Sequence, residues 1–196
     1  MSSAIASTPE ATPTPTLTPL PIDYEYDLDT EAEKITLPDH GAVLPDVDVP
    51  GAIEAVKQHY RVALDAMRTG NAEGIAASSD AECIQCKRVI ALTNIHRAQG
   101  LVLSSEATTT LSNIHGGPPG EGRPSHSVIG EVSNAGWVFH DTNGNEHFQE
   151  DATSFLVQAY LVPTETGWAI QEIDYIDQER FNDTAVWMAV LNDQLD

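Results

Sequence analysis

The stretch AECIQCKRV, residues 81–89, holds the chain's two cysteines, Cys83 and Cys86, at C-x-x-C spacing. A redox centre uses such a pair by lowering the pKa of the first thiol at a helix N-terminus, and thioredoxin-like proteins place it after a strand in a βαβ pattern. Here the pair follows a predicted helix and turn, and Glu82 beside Cys83 opposes thiolate formation. A structural zinc site takes four ligands, typically two such pairs. The chain has one pair, and His40, His59, His96, His115, His126, His140 and His147 are scattered, so no metal site or cofactor is expected. Two readings stay open: a Cys83–Cys86 disulfide, or two buried free thiols. A disulfide would close a tiny loop at the start of a helix, contribute about 2 kcal/mol by chain entropy, and suit an oxidising compartment.

Carboxylates offer little more. Asp23, Glu25, Asp27 and Asp29 alternate with larger residues but lack the glycine and spacing of a calcium loop. The candidates for a buried acid or base are His59 and Tyr60 on one predicted helix, His96 on another, and Glu131, Tyr160 and Glu172 on strands. The two glutamates alternate with apolar neighbours and read as solvent-facing. No acid and base pair stands out, so no catalytic residue is assigned.

The elements that must position these groups follow from periodicity. Ile53, Val56, Tyr60, Ala63, Leu64 and Met67 recur at helical spacing between Pro50 and Gly70, which predicts a helix over 51–69. NAEGIAASSD reads as a short second helix and a turn, and a third helix runs over 82–99 to Gly100. Beyond Gly100 the pattern becomes that of strands. LVLSSEATTT is rich in β-formers, and SHSVIGEVSN and GWVFHD read as one long strand bent around Asn134, Ala135 and Gly136. DTNGNE is a hairpin turn, and TSFLVQAYLV pairs with GWAIQEIDYI across PTETG. Phe155, Val157, Ala159 and Leu161 share one face; Leu156, Gln158, Tyr160 and Val162 share the other. Both faces are partly apolar, so helices are expected on one and a partner or the C-terminal segment on the other. FNDTAVWMAVLNDQLD predicts a final helix capped by Asp183 or Thr184, with Trp187, Val190, Leu191 and Leu195 on one stripe. Trp187 and Leu191 are its candidate interaction residues. Trp137 and Trp168 are further possible contacts, although strand aromatics more often belong to the core.

Composition bounds the setting. Nine Lys and Arg stand against 30 Asp and Glu, a formal net charge of −21. Such a surface repels phosphate backbones and anionic headgroups, which argues against nucleic-acid binding. No apolar run approaches the ~20 residues of a spanning helix. Residues 1–22, rich in Thr and Pro, read as a disordered, semi-stiff stalk. Residues 23–49 read as an acidic irregular strap, 50–177 as the folded α+β domain, and 178–196 as the C-terminal amphipathic helix. The residues after Met1 are small and polar and do not read as a secretory signal.

AVKQHYRVALDAMRTGNAEGIAASSDAECIQCK, the HDTNGN turn and TSFLVQAYLVPTETGWAIQEID together resemble an uncharacterised family of actinobacterial lipoproteins. The resemblance spans residues 50–176 and is most specific over 60–86. It implies an α+β cone of the SnoaL-like, cystatin-like kind: three helices packed on a curved antiparallel sheet. It also implies a lipid-modified cysteine upstream of the stalk. No lipobox is present in this sequence, so membrane contact is expected only through an inferred anchor. Such a cone often has an open end, where Tyr60, His96 and Tyr160 would line a cavity. The expected function is non-catalytic, extracytoplasmic binding or assembly at the cell envelope. The partner would be a small ligand, an envelope protein, or a second copy through the sheet face. The alternative is a small-molecule enzyme, isomerase- or dehydratase-like, that uses the cone.

Overall fold

The computed structural model describes residues 20–40, 48–119, 125–165 and 167–192, with 187 and 189–192 described by backbone alone. The stalk up to residue 19 and the side chains of Trp187 and Leu191 therefore lie outside the described residues.

The principal helix, here α2 (Val49–Thr69), is defined at both ends. The Asp48 carboxylate accepts from the Gly51 N–H, Pro50 sits in the first turn, and Gly70 ends the helix in the left-handed region at φ 69°. It buries Ala52, Val56, His59, Ala66 and Met67 on one stripe. A short α3 (Glu73–Ala77) follows, then α4 (Ile84–Ala98), which opens at Cys83 and ends at Gln99. The predicted helices at 51–69 and 82–99 thus stand within two residues of their observed ends.

The segment expected to be an irregular strap contains a helix, α1 (Leu28–Glu33). Asp27 caps it by accepting from the Asp29 and Thr30 N–H groups, and the acids of its first turn suit the positive helix end. Part of the acidic alternation is therefore helix-capping chemistry. The strap is fastened to α4: Arg88 pairs with Asp29, Gln99 donates to the carbonyls of Pro21 and Ile22, and Leu37 joins the main core.

Four antiparallel strands form the main sheet in the order β2 (Thr108–Gly117), β3 (His126–Ala135), β6 (Thr153–Thr164), β7 (Gly167–Ile176). A second, three-stranded sheet joins β1 (Val102–Leu103), β4 (Val138–His140) and β5 (Glu146–Gln149) in the order β1-β4-β5. The single bent strand expected across 125–141 is therefore two strands in two sheets. Gly136 separates them at φ 68°, where a Cβ would stand 3.2 Å from the Glu106 carbonyl oxygen. LVLSSEATTT is likewise divided between β1 and β2. The DTNGNE turn links β4 to β5, with Asp141 accepting from the Asn143 and Asn145 N–H groups and Gly144 at φ 83°.

Both faces of the main sheet are covered. Val128, Ala159, Leu161 and Ile170 pack with Val56, Ala66 and Ile90 beneath α2 and α4. On the opposite face Ile129, Leu156 and Ile176 pack against Phe181 and Met188 of α5 (Gln178–Asn192). The C-terminal segment is thus the cover that the two-faced apolar pattern required. Its helix begins five residues before the expected cap: Asp177 accepts from the Arg180 N–H, and Asp183 lies within the helix. The whole is an α+β fold, helices on a four-stranded antiparallel sheet. Among the described residues no helix is long and apolar enough to cross a membrane.

Candidate functional site

Between α2 and the inner face of the main sheet lies a cavity of about 150 Å³. The helical repeat brings His59, Ala63 and Met67 to its wall together with Tyr60 and Leu64. Gln85 and Val89 enter from α4, Thr109 from β2, Val132 and Asn134 from β3, Phe155 from β6, and Ile173 and Tyr175 from β7. Trp137, in the connection between the two sheets, lines the remaining side.

Some of the polar groups here have partners. Thr109 donates to the Asn134 amide oxygen at 2.9 Å, and the Trp137 indole N–H donates to the Thr108 carbonyl at 3.2 Å. His59 is buried, 3% exposed, and its Nδ1 has no hydrogen-bond partner. Its ring meets that of Tyr60 edge-on, with centroids 5.9 Å apart. Burial pushes the His59 pKa down to about 4, so the imidazole is neutral at pH 7. Burial, with a smaller contribution from Tyr175, raises the Tyr60 pKa above the ordinary phenol value, so it too is neutral. Among the described residues no carboxylate lines the cavity. The chemistry on offer is hydrogen bonding to a neutral imidazole and a neutral phenol inside an aromatic and aliphatic wall.

The three residues expected to share the cavity do not meet. Tyr60 lines it. Tyr160 is on the other side of the sheet, where Arg180 of α5 reaches its hydroxyl at 3.4 Å and the neighbouring Gln158 at 2.7 Å. Strand alternation sends residue 160 away from α2 and α4 and toward α5, as it does 156 and 158. His96 is buried under the small sheet, edge-on to Phe139 at 4.5 Å and near Phe148 at 5.6 Å. Glu131 is also on the α5 side, held by Asn113 and Ser154. Glu172 is exposed on β7. Trp168 packs on buried His126 with centroids 4.7 Å apart, away from the cavity.

The cysteine question has a structural answer: Cys83 and Cys86 are joined as a disulfide, fully buried. The Cys83 sulfur also accepts from the Cys86 N–H, as an N-cap does. Among the described residues no three His, Cys, Asp or Glu side chains converge to hold a metal ion.

No family model matches the chain, and no curated protein matches it. Solved structures do. The intermembrane-space region of the chloroplast protein ARC6 aligns with a TM-score of 0.52 at 16% identity, over 68% of this chain and 100% of that one. A protein with a cystatin-like fold from Caulobacter vibrioides aligns at 12% identity over 70% and 98%, TM-score 0.40. An NTF2-like protein of unknown function from Pseudomonas putida aligns at 8% identity over 69% and 94%, TM-score 0.37. At 16% identity the likeness to the ARC6 region is one of fold alone.

Proposed function

We propose that this chain is a non-catalytic binding domain that takes a small uncharged molecule, aromatic or aliphatic with one hydroxyl or amide, into the cavity between α2 and the sheet. The observation that carries the reading is the wall itself: among the described residues, eight apolar side chains, no carboxylate, and one neutral imidazole nitrogen without a partner. A space near 150 Å³ suits a molecule about the size of one aromatic ring. Acid–base catalysis fits less well, because a general base works best with a pKa near the operating pH, and His59 is pushed down to about 4.

The test is a titration with p-cresol and indole followed by methyl NMR. Saturable shifts at Met67, Leu64, Val89 and Val132 are expected, and an Ala63→Leu variant, which fills the space, should lose them. No saturable shift at those methyls up to solubility defeats the proposal.

The same proposal sets the domain outside the cytoplasm, at the envelope surface. The buried disulfide supports this, since such bonds persist in oxidising compartments. The Thr/Pro-rich stretch supports it as a spacer. A lipid anchor rests on the resemblance over residues 60–86. If both thiols of natively expressed, unfolded protein react with a thiol reagent before reduction, this setting is lost.

A further inference from the structure

We infer that the outer edge of β7 is a docking site for an extended basic segment of a partner protein, which adds to the sheet as one more strand. β7 ends the four-stranded sheet, paired with β6 on one side only. Its other side already accepts strand pairing at one point. Ser79 bridges Ile170 in parallel: the Asp80 N–H donates to the Ile170 carbonyl at 2.8 Å, and the Ile170 N–H donates to the Ser78 carbonyl at 2.9 Å. After Asp80 the chain turns away toward α4, and along 171–176 this edge of β7 pairs with no strand among the described residues. An open edge of this kind is a template for β-addition, in which backbone bonds supply affinity and alternate side chains supply specificity.

A groove of about 430 Å³ continues the line of residues 78–80 along this edge. Glu82, Glu172 and Asp174 line it; Glu82 accepts from the Gln171 amide at 3.3 Å and Asp174 pairs with Arg180 at 3.4 Å, so exposed Glu172 carries the charge selection, with apolar surface from Ile84, which is 53% exposed, and from Ile173. The one cation among its described lining residues, Arg88, is engaged by Asp29 at 2.6 Å. The groove therefore selects Lys or Arg alternating with apolar residues. A second copy of this chain is the poorer occupant. Pairing β7 with itself brings Glu172 and Asp174 of both copies together, between two bodies that each carry −21. Gln85 and Ile173 line both this groove and the cone cavity, so an added strand would lie against the cavity wall.

The test uses the full chain, ¹⁵N-labelled, with an alternating Lys-Val peptide at low salt. The controls are the Glu-Val counterpart and the Lys-Val peptide with a central proline. The basic peptide should saturably shift amides of 171–176 and slow their exchange, while both controls bind weakly. Glu172→Lys, at an exposed position that leaves folding intact, should weaken binding about tenfold. The inference is overturned if the basic peptide leaves those amides unmoved and coats the surface diffusely, or if the acidic peptide binds equally well. It is overturned in favour of self-association if the same amides become protected with protein concentration alone.

Discussion

His59 and His96 are buried side chains whose Nδ1 atoms have no hydrogen-bond partner, and burial drives both pKa values down to about 4 from 6.5. Between those values the unfolded chain binds protons that the folded chain refuses. Stability therefore rises with pH across that window, is fully present above about 6.5, and is lost as pH falls toward 4. Urea unfolding at pH ~7.5 and pH ~5 should differ by up to about 2 kcal/mol for each histidine, less for the shallower His96. His96→Leu should remove its share, and an unchanged midpoint at pH ~5 in the parent would show that the rings are solvated. The site itself was only half legible. Tyr60 lies on the α2 stripe that helical spacing fixes, and that stripe lines the cavity. The side taken by Tyr160 is not legible, because β6 is buried on both faces and alternation does not say which face meets α2 and α4. Asn134 and Thr109 gave no signal in sequence. They line the cavity through the β2–β3 register, a long-range pairing.

At the scale of elements, the start of α4 and the whole of α5 are where stability can be probed. The Cys83–Cys86 bond closes a very short loop, so reduction or a Cys83→Ser, Cys86→Ser double change should cost about 2 kcal/mol in urea unfolding. A midpoint indifferent to reductant would mean the pair is not bonded in solution. Phe181, 7% exposed, anchors α5 on Ile129. Phe181→Ala should cost about 3 kcal/mol; a cost near zero would mean the helix does not hold the sheet. The long helices and the Asn-Gly hairpin were readable because caps, turns and periodicity are local. α1 was missed because its apolar contribution is small: among its residues Ala32 alone is buried, and the rest reads as solvated acid. The second sheet was missed for a different reason. Alternation marks a strand but not the sheet it joins, and the switch depends on one left-handed glycine, Gly136.

The whole molecule carries far more negative charge than its pairing can absorb. Six of its nine Lys and Arg residues already stand in ion pairs: Lys34, Lys57, Arg61, Arg68, Arg88 and Arg180. Exposed pairs of this kind contribute at most about 1 kcal/mol each and often nothing. Thirty carboxylates stand against nine cations, a net charge of −21, so the compact state works against its own field. Salt acts on both terms with opposite signs: it weakens the pairs, and it screens the repulsion, with a Debye length of ~10 Å at 0.1 M. The repulsion is the larger and longer-ranged term, so moderate NaCl should raise the melting temperature by several degrees. Calorimetry from about 10 to about 300 mM NaCl checks the sign, and a fall would show that the strap's ion pairs outweigh the net charge. The same salt should weaken the basic peptide at β7, because attraction is screened as readily as repulsion. Salt that stabilises the fold while loosening the peptide therefore marks the groove as an electrostatic site. Binding indifferent to salt would leave β7 only its backbone bonds and no preference for a basic partner.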